Sequence, residues 1–354
     1  MRAAAWAAGV LALLAVCPRG AAAKEKAAPV TTAPELLLDG GRKLTFERSI
    51  SDERDVRTKR GFWKKVLDVV AGEPDFHKLV RPYSVVTDSR GRILVSDPDA
   101  RGVHIFDFAE QKYKFVARKE GRDPMRAPQC LAVDAKDDLY VTDSESGRIF
   151  VFDAKGKYQR MIGALKFGEG LFKRPTGIAI DSARDRIYVT DTMRNKIYVL
   201  DMAGSVVKTI GKPGKGEGEF NYPTELRLEG DRLLVVDAMN FRVQVLNRDG
   251  EFQYAIGRLG DGRGNMFRPK GIGLDSEGHL YVVDGFGAMV QVFDDKGNLL
   301  YYFGRKGKGF GDFQLPTGLF IDKKDHVYVA DSFNRRVQEF QYTAAGGAPG
   351  GKPQ

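Results

Sequence analysis

Apolar and polar residues follow a pattern that repeats along the chain. Runs rich in β-branched residues end in Val-x-Asp at six places, and the closing aspartates lie 46, 48, 46, 47 and 47 residues apart. These aspartates are Asp97, Asp143, Asp191, Asp237, Asp284 and Asp331. A proline opens each unit in one register, at Pro82, Pro128, Pro175, Pro223, Pro269 and Pro316. The spacing predicts six copies of one structural unit.

Each unit contains four short apolar runs separated by Asp, Ser, Gly or Lys, which predicts a four-stranded antiparallel meander. Such a unit cannot bury both faces alone, but six units stacked around an axis bury them against one another. The sequence therefore predicts an all-β fold, a six-bladed β-propeller of four-stranded antiparallel blades. Helical repeats of similar length are disfavoured because β-branched residues alternate and Gly and Pro punctuate the runs.

The sixth unit lacks its own fourth strand, since its third run, Val337 to Tyr342, is followed by a tail rich in Gly, Ala and Pro. We assign the missing strand to residues 42–50 near the N-terminus, which follow an Asp-Gly-Gly turn. Apolar residues at helical spacing between Phe62 and Val70 predict a short amphipathic helix that clasps the propeller. The predicted organisation is 1–23 signal peptide, 24–78 N-terminal extension, 79–342 propeller and 343–354 disordered tail.

The first residues have the pattern of a secretory signal peptide. Arg2 precedes an apolar run from Ala3 to Val16, which is shorter than a bilayer span, and Ala21 to Ala23 offers a small-x-small cleavage site. This predicts a secreted or periplasmic protein without a transmembrane span. The alternative is a lipoprotein anchored through Cys17, although Val16 is not the small residue that lipoprotein processing prefers.

The amino-acid composition limits the kinds of site that the chain can form. The chain has two cysteines and four histidines, which excludes a disulfide scaffold or a thiolate metal site. Its formal net charge is +9, and +7 remains without Arg2 and Arg19. Loops between blades and after the Val-x-Asp strands lie on one side and are rich in Arg and Lys, whereas the opposite turns are rich in Asp. One face is therefore predicted to be basic and the other acidic.

The repeats resemble those of the NHL-repeat propellers, here an extracytoplasmic member of bacterial type. The resemblance is carried by Pro175 to Asp181 (Pro-Thr-Gly-Ile-Ala-Ile-Asp), by Asp331 to Gln338 (Asp-Ser-Phe-Asn-Arg-Arg-Val-Gln) and by glycine-rich linkers that end in phenylalanine, and it covers Leu79 to Tyr342. Relatives of this kind include lyases, RNA-binding modules and sensor domains, so the resemblance implies a fold more strongly than a function.

The chain departs from the patterns of the catalytic propellers. The zinc lyase of this type holds its metal with histidines at the axis, but the four histidines here fall in turns, in a third strand and in a linker. Calcium-dependent lactonases gather Glu, Asn and Asp at the axis, and only one acidic residue stands at the corresponding ring here. We assign no catalytic residue, no metal and no cofactor.

Six positions, each two residues after a repeat proline, are predicted to ring the axial mouth. Three are glycine, and Ser84, Cys130 and Glu225 break the symmetry, which makes the mouth the default ligand site. Glu225 has two interpretations, a general base or an ion-pair partner of an arginine, and Cys130 is interpreted as a packed residue without an activating histidine. The predicted binding residues are Tyr83, Ser84, Gln129, Cys130, Arg174, Arg194, Glu225, Arg268, Lys270, Phe286 and Phe333.

These patterns favour a non-catalytic binding scaffold whose basic mouth engages an acidic protein or an anionic polymer. Nucleic acid is not expected, because a signal peptide would keep the protein away from RNA in the cell. The alternative is a lyase or hydrolase that uses Glu225 in the axial pocket, with or without one divalent cation.

Overall fold

A computed structural model describes residues 35–38, 41–56, 76–118, 124–165, 170–260 and 262–344. The predicted signal peptide, the predicted helix between Phe62 and Val70, and residues 345–354 of the predicted tail lie outside these ranges. Two strands precede the first blade, β1 (Glu35–Leu37) and β2 (Lys43–Ile50). No helix in the described part of the chain has the length and hydropathy that a membrane span requires.

The six repeats form six antiparallel sheets in chain order. Blade 1 contains β3 (Ser84–Thr87), β4 (Ile93–Asp97), β5 (Gly102–Asp107) and β6 (Lys112–Val116). Blade 2 contains β7 (Pro128–Val133), β8 (Leu139–Asp143), β9 (Arg148–Phe152) and β10 (Tyr158–Ile162). Blade 3 contains β11 (Pro175–Asp181), β12 (Arg186–Asp191), β13 (Lys196–Asp201) and β14 (Val206–Ile210). A short parallel pair, β15 (Lys212–Pro213) and β16 (Glu219–Phe220), lies in the next linker.

The second half repeats the same order. Blade 4 contains β17 (Pro223–Glu229), β18 (Arg232–Asp237), β19 (Arg242–Asn247) and β20 (Phe252–Ile256). Blade 5 contains β21 (Pro269–Leu274), β22 (Leu280–Asp284), β23 (Met289–Phe293) and β24 (Leu299–Phe303). Blade 6 contains β25 (Leu319–Ile321), β26 (His326–Asp331) and β27 (Arg336–Thr343). Short 3-10 turns follow the second strands of blades 3, 4 and 6, at Thr192–Arg194, Ala238–Asn240 and Ser332–Asn334.

The first strands of the blades touch one another in a closed ring, in the order β3, β7, β11, β17, β21, β25 and back to β3. They therefore surround the axis. The buried apolar side chains form six clusters, and each lies between two neighbouring blades. Val86 and Val141, for example, belong to the cluster between blades 1 and 2. This confirms the six-bladed propeller and the physical reason for its repetition, which is burial of blade faces against each other.

The N-terminal strand closes the ring, as the sequence predicted. β2 pairs antiparallel with β27, with Leu44 opposite Tyr342 and Phe46 opposite Phe340. It supplies the fourth strand of blade 6, and β1 then adds a fifth strand on its outer side. β1 has only three residues and was not predicted. β27 ends at Thr343, one residue beyond the predicted end of the propeller.

Hydroxyl groups join several blades near the axis. In blade 2 the Thr142 hydroxyl accepts from the Cys130 N–H (3.1 Å) and donates to the Thr176 carbonyl of blade 3 (2.6 Å). Ser96 and Thr190 make the same bridges from blades 1 and 3. Blades 4 and 5 have valine at this position, Val236 and Val283, and blade 6 reaches blade 1 instead through the Thr317 hydroxyl and the Tyr83 carbonyl (2.8 Å). Two of the six interfaces thus lack this polar bridge.

Candidate binding site at the propeller axis

The positions two residues after the repeat prolines are packed between neighbouring first strands. A side chain at Gly177 would place its Cβ 2.4 Å from the Thr224 carbonyl oxygen, and one at Gly271 would lie 2.3 Å from the Leu319 nitrogen. Glycine therefore stands there because the next blade approaches its backbone. The equivalent residues Ser84, Cys130 and Glu225 are buried at 1%, 3% and 5% exposure. Their side chains are enclosed near the axis and do not line an open mouth.

Glu225 is held by an arginine that the sequence prediction missed. Arg227 Nη2 lies 2.6 Å from Glu225 Oε1 and donates to the Leu319 carbonyl at 2.9 Å. The same guanidinium lies 5.2 Å from the centre of the Phe320 ring. Arg227 thus extends from blade 4 to blade 6. A signal was present in the sequence, because Arg227 is the only charged residue four positions after a repeat proline.

The pKa of Glu225 reflects two opposing effects. Burial raises it from 4.5 to about 7, while the Arg227 guanidinium and, more weakly, Lys270 limit the rise. A buried carboxylate beside one guanidinium is still partly desolvated, so burial has the larger effect. The ion pair agrees with the structural interpretation of Glu225, and the raised pKa leaves proton transfer near neutral pH chemically accessible.

Three cations, Arg174, Arg268 and Lys270, lie near this cluster. The pKa of Lys270 is lowered from 10.5 to about 8, mainly by burial and then by the charges of Arg268 and Arg174. No carboxylate of the described residues lies within ion-pair distance of Arg174, Arg268 or Lys270. Two exposed arginines beside a lysine, none of them in an ion pair within the described residues, create a region that favours an anion.

Two further side chains of the cluster are neutral. Burial raises the pKa of the Cys130 thiol well above its usual value, and the Glu225 charge adds to the rise. Burial likewise raises the pKa of the Tyr83 phenol, with contributions from Cys130 and Glu225. The pKa of each group responds to the same neighbours, so Tyr83 and Cys130 share one environment with Glu225. A protonated, enclosed thiol is a poor nucleophile.

Not every predicted residue joins the axial cluster. The guanidinium of Arg194 is held by the Leu171 carbonyl (2.6 Å), Asp191 (3.2 Å) and the Tyr198 hydroxyl (3.2 Å), within its own blade and linker. Gln129 is buried, and its side chain bonds weakly to the Ala127 carbonyl at 3.4 Å. Phe286 and Phe333 lie on exposed loops at the rim. The cluster therefore contains Tyr83, Ser84, Cys130, Arg174, Glu225, Arg227, Arg268 and Lys270.

The aspartates that end the second strands have a structural role. Asp331 accepts from the Gln314 backbone N–H (2.7 Å) and from the side chains of Asn334 (2.8 Å) and Arg336 (2.7 Å). Asp237 makes the equivalent bonds in blade 4. Each aspartate ties the linker that begins its blade to the turn that ends its second strand. The motif that carries the NHL resemblance is thus a folding element.

The acidic turns on the opposite face also have a local cause. Asp134 accepts from the backbone N–H groups of Lys136 (2.8 Å) and Asp138 (3.0 Å), and Asp275 does the same for Glu277 and His279. These are Asx turns, which favour aspartate for its short carboxylate. Much of the negative charge on that face is therefore explained by turn formation.

Other features lie away from the axis. A groove of 860 Å³ lies between the outer edges of blades 5 and 6 and is lined by Leu36, Leu300, Tyr302, Arg305 and Phe310 among others. In the described ranges, no three His, Cys, Asp or Glu side chains are arranged to hold a metal ion.

The chain is similar to known propellers. Segments 131–196, 171–230, 220–291 and 274–347 match a family model described as 6-bladed beta-propeller, DUF5128. Together they run from residue 131 to residue 347, more than half of the 354 residues. No curated protein matches the chain in sequence.

Solved structures of similar shape differ widely in sequence. Virginiamycin B lyase from Staphylococcus aureus is 15% identical, with a TM-score of 0.53 over 74% of this chain and 94% of that one. A structural genomics protein of unknown function from Bacteroides thetaiotaomicron is 16% identical, with a TM-score of 0.59 over 88% and 84%. An auxiliary nutrient binding protein from the same organism is 10% identical, with a TM-score of 0.58 over 75% and 70%. At these identities the likeness shows the fold alone.

Proposed function

The chain belongs to the DUF5128 family of six-bladed β-propellers, and on this premise we propose that it is an extracytoplasmic, NHL-type binding scaffold for an acidic protein or anionic polymer. The observation that carries the proposal is the convergence of Arg174, Arg268 and Lys270 at the axial mouth without a carboxylate partner. Like charges brought together repel one another, and after burial this repulsion is the largest cause of the lowered pKa of Lys270. An anionic ligand would relieve that repulsion, which is the source of its affinity.

The wider architecture supports the same function. The loops that lead into each blade and follow each second strand lie on the side of these cations, because the closing aspartates bond both sets of loops. The predicted signal peptide, cleaved after Ala23, would deliver this surface outside the cytoplasm. In the alternative, a lipoprotein, the chain would be anchored through Cys17. In either case the ligand belongs to the envelope or the extracellular space.

The test is binding to two polyanions, polyglutamate and heparin, at stepped salt concentrations. The charge-reversal variant is Arg174→Glu with Arg268→Glu, since both side chains are exposed. The matched control is Lys136→Glu with Lys155→Glu, which makes the same charge change in exposed turns of the opposite face. We expect the first variant to lose affinity at least about tenfold and the control to change by less than about twofold. Equal losses in both variants would refute a ligand site at the axial mouth.

A second function has one observation in its favour. Glu225 and Lys270 have pKa values of about 7 and about 8 in one cluster, which suits acid–base chemistry at neutral pH. The enzyme reading assigns Glu225 as the proton acceptor in a lyase or hydrolase reaction. If the site only binds a ligand, Glu225→Gln should leave polyanion affinity within about twofold, because the Glu225 carboxylate is buried and paired with Arg227. A larger loss would assign the carboxylate to the ligand site.

A further inference from the structure

The rim of the basic face differs between the two halves of the ring. The diagnostic position is the second residue after each Val-x-Asp aspartate, which lies beside the linker entering the same blade. In blades 1 and 2 it is acidic, and its carboxylate neutralises a linker arginine. Asp99 lies 2.7 Å from Arg81, and Glu145 lies 3.7 Å from Arg126.

In blades 3 to 6 the same position is apolar and exposed. The residues and their exposures are Met193 at 39%, Met239 at 52%, Phe286 at 54% and Phe333 at 57%. We call these four side chains the apolar arc. Large apolar side chains exposed at one position in four successive blades are unusual for a surface that meets only water. With Met193 and Phe286 at this position, blades 3 and 5 also lack the carboxylate that would neutralise Arg174 or Arg268.

One cation contacts the apolar arc directly, and another belongs to a linker that is bonded to it. The Arg268 guanidinium lies 5.1 Å from the centre of the Phe286 ring, and the ring of exposed Phe267 packs edge-on against Phe286 at 5.5 Å. In blade 3 the Thr192 N–H, next to Met193, donates to the Arg174 carbonyl at 3.0 Å. Positive charge and apolar surface therefore adjoin in blade 5, and the chain that carries Arg174 is bonded beside Met193 in blade 3.

A cavity lies beside this contact. It has a volume of about 290 Å³ and is lined by Phe267, Phe286, Met289 and Arg263 together with the glycines Gly262 and Gly287. Its size suits one large apolar side chain, and two aromatic rings and a methionine would surround it. One apolar side chain buried in a pocket that has charged residues at its rim is typical of protein interfaces.

We propose that the ligand of the basic face is a protein segment that combines acidic residues with large apolar side chains, docked on the rim of blades 3 to 6. This inference rests on the proposed function and selects an acidic protein over an anionic polymer. The carboxylates of the segment face Arg174 and Arg268, and an apolar side chain enters the blade 5 cavity. A polyphosphate has no apolar group with which to cover the apolar arc, and the heparin probe tests an anionic polysaccharide directly.

The test compares two probes of equal charge. One is a synthetic peptide of alternating Glu and Phe, and the other is a polyglutamate with the same number of carboxylates. Affinities are measured by fluorescence anisotropy at low and moderate salt. We expect the chain to bind the peptide at least about tenfold more tightly than polyglutamate, because the arc adds to the charge attraction.

Two sets of variants separate charge from apolar contact. Phe286→Asn with Phe333→Asn keeps the charge, and it should weaken peptide binding about tenfold while leaving polyglutamate within about twofold. Asp99→Met gives blade 1 the arrangement of blade 3 and should strengthen binding of the peptide, since Arg81 loses its counter-ion. All three positions are exposed, so thermal unfolding should be unchanged and serves as the folding control.

The outcomes distinguish the two proposals. If both probes bind equally and the asparagine variant retains full peptide affinity, the inference is wrong. If in addition Arg174→Glu with Arg268→Glu still abolishes binding of both probes, the proposed function stands without it. If that charge reversal changes neither probe, the proposed function fails and the inference fails with it. Tighter binding of heparin than of the peptide would also overturn the inference.

Discussion

The buried pair of Glu225 and Arg227 gives the sharpest prediction about the axial cluster. The perturbation is Arg227→Met, which keeps an unbranched side chain of similar length and removes the charge. Glu225 is only 5% exposed, so the substitution leaves its carboxylate enclosed without its nearest counter-charge. Removing one partner of a buried ion pair typically costs about 3–5 kcal/mol.

The magnitude depends on pH. In the native chain the pKa of Glu225 rises from 4.5 to about 7, which corresponds to about 3 kcal/mol between the two protonation states. Because the folded-state pKa lies above the unfolded one, the folded chain holds an extra proton between these values. Stability from this group is therefore complete below pH 4.5 and is lost as pH rises through 7.

Arg227→Met should raise the pKa of Glu225 further and enlarge this loss. At pH 8.5 we expect the free energy of unfolding to fall by about 3 kcal/mol relative to the native chain. At pH 5 the carboxyl group takes up a proton, and the loss should shrink to about 1 kcal/mol, the value of the hydrogen bond to Leu319.

The assay is urea unfolding followed by far-ultraviolet circular dichroism at both pH values. The double variant Glu225→Gln with Arg227→Met completes a thermodynamic cycle and should recover most of the stability lost at pH 8.5. An equal loss at pH 5 and pH 8.5, or a double variant no more stable than Arg227→Met, would refute the argument that an enclosed carboxylate causes the destabilisation.

Three further substitutions test packing, each measured as the free energy of unfolding in urea. Thr142→Val removes the hydroxyl bridge between blades 2 and 3 and should lower the free energy of unfolding by about 1–2 kcal/mol. An unchanged stability would mean that valine packing is as good here as it is in blades 4 and 5. Gly271→Ala drives a Cβ into the backbone of blade 6 and should cost about 3 kcal/mol or more, whereas Gly278→Ala, in open space, should cost about 1 kcal/mol. Phe46→Ala empties a buried site in the closing strand, and we expect a loss of about 3–5 kcal/mol; a loss under about 1 kcal/mol would argue that β2 contributes little to closure.

Much of the fold could be predicted because its causes are local and repeated. Strand alternation, the proline register and the Val-x-Asp endings each depend on residues within one blade. Asp331 likewise bonds to Asn334 and Arg336, three and five residues away in the same blade. Even the closing strand was predictable, since Leu44 and Phe46 repeat the alternation of the other outer strands. β1 escaped prediction because three residues carry too little pattern.

The site was less predictable because its determinants lie between blades. The positions of Tyr83, Cys130 and Glu225 after the repeat prolines identified them as neighbours at the axis. These positions did not reveal that the next blade encloses Cys130 and Glu225. Arg227 reaches a carbonyl 92 residues away in the chain, and no periodicity encodes that reach.

The sequence by itself determined the repeat, the number of blades and the strand that closes them, because backbone hydrogen bonding and apolar alternation act over a few residues. Only the tertiary structure decided which arginines are neutralised. Arg81 meets Asp99 at 2.7 Å, whereas Arg268 meets the ring of Phe286 instead. Coulombic and packing energies change strongly over a few ångströms. The distances between side chains of different blades depend on how the six blades pack against one another.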